Sequence, residues 1–489
     1  MPKPLPVTTE ELEDLVSRHG TPLQLYDEDG IRAQVRGLIS SFEGHFPGFQ
    51  QFFAVKALPN PAILKVVMEE GCGLDCSSSS ELYIARQLGV PSDKVMYTSN
   101  YTSKHDLGVA AKQGVIINLD DASLVSDLAE ACEAEGVAFP ELISFRVNPG
   151  LGRTDSETAS NVLGGPSAKF GIPLEAAAGA YAHAKRLGAR RFGMHMMTGS
   201  CVLSDDYWTE TVTVLLDTLA AVTADAGIDA SAWDFVNIGG GLGIPYREGE
   251  PENDPARLAK RLAGVMRDEA ARRGLSRLPA LMMENGRFVT GPFGWLVARC
   301  HVEKRSFGQR YCGLDACMSN LMRPGMYGAY HHISVAGKAT GAGPTEPLNV
   351  VGTLCENNDW FARDRVLPSA AGVGDLFVIH DSGAHAHSMG FQYNGKLRAP
   401  EVLVRRGPAG ELDASLIRRR EVIAELYANT VLPARLGPQP SFPEDNDATA
   451  APSDMGAVGK AAMWGMFTAA GVAAIAGAAF ALGRRAASS

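Results

Sequence analysis

Between residues 50 and 290 the chain alternates short apolar or β-branched runs with longer stretches in which apolar positions recur every three or four residues. The runs cover 51–57, 73–77, 95–99, 115–119, 142–147, 192–197, 235–238 and 280–284. Amphipathic stretches lie between them at 62–70, 80–88, 103–112, 122–135, 174–186, 206–226 and 255–273. Runs of this kind predict strands, and strands separated by helices predict parallel βαβ units. Eight such units in about 240 residues match the size of a (β/α)8 TIM barrel. A doubly wound sheet is the competing fold.

Beyond residue 290 the helical period fades. Short strand-like runs follow at 295–304, 332–335, 348–354, 376–380 and 402–405, and Leu23-Gln24-Leu25-Tyr26 is placed to join them. The expectation is an α/β chain: a (β/α)8 barrel over 36–292, and a C-terminal β-rich, β-barrel-like domain built from 1–35 and 293–435. Residues 436–460 are rich in Pro, Ala and acids, which is linker composition. From Ala461 to Leu482 the chain carries no charge, with Lys460 before it and Arg484-Arg485 after. That length is enough to cross a bilayer core, so 461–483 predicts a hydrophobic helix and a membrane anchor. Its Ala and Gly content makes insertion only marginally favourable, and an Ala-rich helix packed on a partner is the alternative.

Charge and cysteines narrow the class. The 489 residues carry a net charge of −10 without a dense basic run, which argues against nucleic acid and for a small-molecule substrate. The eight cysteines are scattered without a repeating frame, as expected of free thiols. Cys72 and Cys76 alone are too few for a metal site. The N-terminus lacks the apolar core of a secretory signal, so a cytoplasmic catalytic domain is expected.

Active sites of barrels lie at the carboxyl ends of the strands. The polar residues at those ends are Lys56, Asp75, Ser99-Asn100, Asp120, Arg146 with Asn148, His195 with Ser200, Gly239-Gly240-Gly241, and Glu284 with Arg287. A lone lysine is usually salt-bridged or lifted to solvent. One desolvated by apolar neighbours has a lowered pKa and serves as an amine nucleophile. A glycine triplet brings backbone N–H groups close to an anion, although triplets also make ordinary turns. Lysine and triplet facing one barrel mouth suggest a phosphorylated aldehyde cofactor, pyridoxal 5′-phosphate (PLP). No Walker-type Gly-Lys-Ser/Thr follows a strand, so a nucleotide is less supported. PLP chemistry asks for an amine (Lys56), phosphate donors (Gly239–Gly241, Ser200, Arg287), a carboxylate beside the pyridine nitrogen (Glu284), and an acid to return a proton, for which Cys355 is a candidate.

The same residues carry a resemblance. Ala54-Val55-Lys56-Ala57, Gly73-Leu74-Asp75-Cys76-Ser77, Ala168-Lys169-Phe170-Gly171, Gly239–Gly241, Glu284-Asn285-Gly286-Arg287, Arg323-Pro324, Cys355-Glu356 and Tyr393-Asn394 stand in the order of the fold-type III PLP-dependent decarboxylases, of the diaminopimelate decarboxylase type. The resemblance covers roughly residues 20 to 435. It implies that Lys56 holds the cofactor, that Glu284 meets its ring nitrogen, and that Asp75, Ser200, Gly239, Gly240, Gly241, Arg287 and Tyr393 contribute to its binding. It implies that Arg287, Arg323, Tyr327 and Glu356 bind the substrate. It also implies a homodimer, with the cysteine and glutamate reaching the partner's site. The activity implied is decarboxylation of meso-2,6-diaminopimelate to L-lysine. The alternatives are a decarboxylase of another basic or carboxylated amino acid, or a silent regulatory relative. Two positions depart from the family. Met197 stands where a histidine stacks on the cofactor ring, so Met197 and His195, two residues earlier on the same strand face, are expected to share that contact. His385 stands where a tyrosine is usual.

Overall fold

The computed structural model describes residues 2–152, 154, 162–275, 277–339, 343–440 and 442. They fall within one unit, Met1–Asp445.

Strand β1 (Leu23–Asp27) opens the chain's sheet structure and β2 (Gln50–Ala54) begins a second sheet. That second sheet continues through β3 (Gly73–Cys76), β4 (Val95–Thr98), β5 (Ile116–Leu119), β6 (Leu142–Asn148), the two-residue β7 (Ile172–Pro173), β8 (Arg191–His195), β9 (Trp233–Asn237) and β10 (Ala280–Met283). Leaving β7 aside, all pairings are parallel, in the order β5-β4-β3-β2-β10-β9-β8-β6, and a β5–β6 pairing closes the ring. The eight expected strands are all present. The main shift is at the first: β2 stops at Ala54, and Val55–Ala57 form one 3-10 turn that carries Lys56.

The two-residue period of a strand decides what fills the barrel. Phe52, Met96, Ile116, Phe235 and Met282 form a separate apolar cluster, with Leu142 and Ala280 packed on it. The outward-facing residues join the helices in one large core. Two glycines make room for the rings inside: a Cβ at Gly193 would lie 2.1 Å from Phe235 Cζ, and one at Gly73 would lie 2.6 Å from Phe52 Cδ1. Two residues further along seven of the eight strands the same inward face turns polar, with Asp75, Thr98, Asn118, Ser144, His195, Asn237 and Glu284, while β2 has Ala54 there. The apolar layer thus plugs one end of the barrel, and the polar layer floors a cavity at the carboxyl end.

The other sheet contains β1, β11 (Gly294–Ser306), β12 (Gln309–Leu314), β13 (Ile333–Val335), β14 (Thr345–Val351), β15 (Trp360–Pro368), β16 (Leu376–Ile379), β17 (Glu401–Arg406) and β18 (Leu412–Arg418). β1 lies between β11, antiparallel, and β17, parallel. Strands β12, β15 and β18 are additions to the sequence reading. A hub ties this sheet to the Lys56 turn: Glu401, fully buried, accepts from Tyr26 Oη at 2.7 Å and from Asn60 Nδ2 at 2.9 Å, and pairs with Arg418. Asn60 Oδ1 also caps the helix Pro61–Glu69 through Ala62 N–H at 3.0 Å.

One expectation is corrected. Among the described residues no helix is long and apolar enough to cross a membrane. The span 461–483 lies outside the described residues, so the described fold includes neither a C-terminal hydrophobic helix nor a membrane anchor, and membrane association has no support in it.

Candidate active site

A cavity of about 420 Å³ opens at the carboxyl end of the barrel. It is lined by Lys56, His195, Met197, Ser200, Gly240, Gly241, Glu284, Arg287, Arg323 and Tyr327, which the sequence reading named, and also by His385.

Lys56 Nζ lies 3.0 Å from Asp75 Oδ2, beneath it on the next strand. Burial pushes the Lys56 ammonium down, but the Asp75 and Glu284 carboxylates outweigh it and the net shift is upward. The lowered pKa expected from the apolar run is therefore corrected: it took account of desolvation and not of the two acids. Burial and the neighbouring Glu284 raise Asp75 to about 7, against the pull of Lys56.

Glu284 is the best-supported group in the site. Burial would raise its pKa, yet His195, Lys56 and Asn237 bring it down to about 2. Asn237 Nδ2 donates to Oε1 at 2.7 Å and His195 Nε2 lies 3.2 Å from Oε2. A thinner chain runs from Ser144 Oγ to Asn118 Oδ1 at 2.9 Å, and on through Thr98 to Glu284. Arg146 donates to the Met197 carbonyl at 3.1 Å and stacks on Phe170 at 4.3 Å, which fixes the loop leading to Ser200.

The glycine loop is shaped by neighbours on both sides. A Cβ at Gly240 would lie 2.2 Å from the Glu284 carbonyl, and one at Gly241, φ +104°, would lie 2.4 Å from the Gly199 carbonyl. Met197 Sδ sits against Gly239, 2.6 Å from where a Cβ would be. Only glycine fits. The Gly239 N–H donates to Asn237 Oδ1 at 2.8 Å, while Gly240 and Gly241 line the cavity. Arg287 is half-buried, its buried Nε has no hydrogen-bond partner among the described residues, and Nη1 donates to Tyr246 Oη at 2.7 Å. An amine, a glycine loop and an ionised carboxylate in one cavity fit a phosphorylated pyridine aldehyde.

The family of the pyridoxal-dependent decarboxylases, through its pyridoxal-binding domain, matches residues 32–291. The chain belongs to that family. Its relatives include Protein TabA of Pseudomonas amygdali pv. tabaci, 40% identical over 410 residues, covering 84% of this chain and 91% of the relative. The diaminopimelate decarboxylase of Methanothermobacter thermautotrophicus is 37% identical over 423 residues, covering 86% and 94%. Among solved structures, diaminopimelate decarboxylase from M. jannaschii in complex with L-lysine superposes with a TM-score of 0.76 at 29% identity, covering 86% of this chain and 95% of that one. The cofactor of this decarboxylase is PLP, and it is a carboxy-lyase.

Five expected residues do not line the decarboxylase cavity: Asp75 lies beneath Lys56, the Gly239 N–H is turned to Asn237, and Cys355, Glu356 and Tyr393 stand apart from it. Cys355 and Tyr393 are exposed and lie together: Cys355 N–H donates to Asn394 Oδ1 at 2.7 Å, and Tyr393 Oη lies 3.4 Å from the Cys355 carbonyl. Glu356 is exposed beside them and accepts from Asn358 N–H at 3.0 Å. Sequence reasoning missed Asn237, Tyr246 and His331. The signals were faint: an asparagine closing an apolar strand before the triplet, a tyrosine in the loop after it, and one histidine of a His331-His332 pair.

Proposed function

We propose that the chain decarboxylates meso-2,6-diaminopimelate to L-lysine. The observation that supports this reading most is the pair Arg287 and Arg323 on one wall of the cavity that holds Lys56, with no ion pair to a carboxylate among the described residues. A diamine-forming decarboxylase has no use for two such guanidinium groups in its cavity wall; a substrate with a second, distal carboxylate has.

When bound, PLP supplies an electron sink for the pair left behind as CO₂ departs. The chain's residues do the rest. Lys56 would hold the cofactor through its amine, and Asp75, 3.0 Å away, would take and return that amine's proton. Glu284, held ionised by His195 and Asn237, is matched to a protonated ring nitrogen. The amides of Gly240 and Gly241 and the Ser200 side face the phosphate. Met197 and His195 face the ring, and Tyr327 borders the substrate. Cys355, Glu356 and Tyr393 act from the dimer interface in this proposal: Cys355 and Glu356 of one copy enter the other's cavity, where Cys355 returns a proton to the substrate carbon and Glu356 receives the distal ammonium, while Tyr393 closes over the cofactor.

The test is CO₂ release by the PLP-loaded protein from meso-diaminopimelate, L-lysine, L-ornithine and L-arginine, with Lys56→Ala as control. Turnover of diaminopimelate alone, lost in the variant, is the expected result. Turnover of a different amino acid in its place would leave family and cofactor standing and overturn the substrate.

A further inference from the structure

A buried guanidinium is ordinarily held by a carboxylate, because an isolated buried charge is costly. Arg287 and Arg323 are held by neutral groups instead. Arg287 Nη1 donates to Tyr246 Oη at 2.7 Å, and the Arg323 guanidinium stacks on the same ring, 4.6 Å from its centroid. Arg323 Nη1 also lies 2.6 Å from His331 Nε2. His331 Nδ1 lies 2.8 Å from the His380 carbonyl, which can only accept, so Nδ1 carries the proton and Nε2 is the acceptor for Arg323. Both ring nitrogens are thus used in the neutral form. Burial and the Arg323 charge hold His331 there, well below its ordinary pKa. The Tyr246 and His331 rings meet edge to face with centroids 5.2 Å apart, so the two supports brace one another.

The choice of supports has a consequence for the ligand. A carboxylate at either position would orient an arginine equally well and cancel its charge. A phenol and a neutral imidazole orient it and leave the charge to be met from the cavity. Burial lowers the Arg323 pKa, but a guanidinium stays protonated throughout the working range.

We infer that Tyr246 and His331 are positioning residues, a charge-free cradle that aims Arg287 and Arg323 at the distal carboxylate of the substrate and so sets the preference for dicarboxylated amino acids. This deepens the diaminopimelate reading and rests on it for the identity of the ligand.

The test uses the PLP-loaded protein and pimelate, a seven-carbon dicarboxylate without amines, as the probe. Pimelate affinity is measured by calorimetry for wild type, Tyr246→Phe, and His331→Gln, His331→Leu and His331→Glu, with the thermal midpoint recorded for each and KM and kcat measured on diaminopimelate. Tyr246→Phe and His331→Leu are expected to weaken pimelate binding by about tenfold, the effect of one hydrogen bond to a charged group. The loss on diaminopimelate should fall mainly on KM. His331→Gln, which can accept from Arg323 and donate to the His380 carbonyl, should restore most of the affinity. His331→Glu should be the most damaging for binding while its thermal midpoint is held or raised, an outcome that a merely structural histidine would not give. Equal pimelate affinity in wild type, Tyr246→Phe, His331→Leu and His331→Glu would overturn the cradle. If a His331 variant fails to fold, the near-isosteric Tyr246→Phe decides alone. Absence of diaminopimelate turnover by wild type overturns the proposed substrate, and the pimelate series still decides the cradle.

Discussion

Lys56 Nζ and Asp75 Oδ2 form a 3.0 Å ion pair between the ends of two adjacent barrel strands, with the Asp75 carboxylate wholly buried beneath the lysine. The pair sets a condition on cofactor capture. Only the neutral amine attacks an aldehyde, yet the net effect of Asp75 and Glu284 is to hold the proton on Lys56. In the proposed reading Asp75 takes that proton, and a pKa raised to about 7 makes it a better acceptor than an ordinary carboxylate.

Replacing Asp75 by Asn removes the nearest counter-charge and leaves Glu284 as the main charge holding the Lys56 proton. The pH midpoint for PLP capture by the cofactor-free protein, followed by absorbance, should move down by on the order of one unit or more. An unchanged midpoint would show that Asp75 does not control the lysine.

Gly240→Ala places a methyl group 2.2 Å from the Glu284 carbonyl, a backbone atom that cannot step aside without moving the end of β10. The loop must shift, and with it the amides meant for the phosphate. PLP affinity measured by titration should fall by at least tenfold, with a stability loss of about 1–3 kcal/mol from overpacking. Wild-type affinity in this variant would remove the glycine loop from the cofactor site.

The barrel was legible because its strands are apolar runs and its active end follows from the strand period. The residues two steps beyond Met96, Ile116, Phe235 and Met282 are the polar Thr98, Asn118, Asn237 and Glu284, and this reads directly from the chain. The missed strands were the mixed ones: β15 runs Trp-Phe-Ala-Arg-Asp-Arg-Val-Leu-Pro, with exposed charges at its centre, and has neither period. The Lys56 environment was misjudged for a related reason. Desolvation is visible in neighbours along the chain, whereas Asp75 and Glu284 reach the lysine only through strand pairing. Tyr246 and His331 were silent in the same way: their role comes from contacts with Arg287 and Arg323 that neither strand nor helix period announces. The tail at 461–483 was read from hydropathy alone, and the expected helix found no counterpart among the described residues.

Glu401 gives the fold an acid-sensitive joint. Burial would raise its pKa, but His387, Arg418 and Tyr26 outweigh burial and the net shift is downward. A carboxylate whose folded pKa lies below its unfolded value contributes stability that is fully present above the unfolded value, here 4.5, and is lost as pH falls through the folded one. Denaturant midpoints should therefore drop below pH 4.5, and Glu401→Gln should flatten that part of the profile. Glu401→Ala strands Tyr26, Asn60 and Arg418 and should cost about 3–5 kcal/mol at neutral pH. A profile that is the same in wild type and Glu401→Gln would assign the acid lability elsewhere.

The exposure of Cys355 and Glu356 leads to the last prediction. Neither lines the cavity of its own chain, while Lys56 does. If Cys355 serves the site of a second copy, a two-fold dimer keeps the two lesions apart: refolding Lys56→Ala together with Cys355→Ala yields heterodimers in which one site carries both changes and the other carries neither. Random assortment makes half of the dimers mixed, so the mixture of two nearly inactive variants should regain about a quarter of wild-type activity. Each variant refolded alone should stay inactive, and size-exclusion chromatography should show a dimer in every sample. A mixture no more active than its components would mean that Cys355 does not act across an interface, and the proton donor would have to be sought inside the cavity, where His385, half-buried at φ +55° beside the Lys56 turn and bound through its backbone N–H to the Ala57 carbonyl at 2.9 Å, is the first candidate.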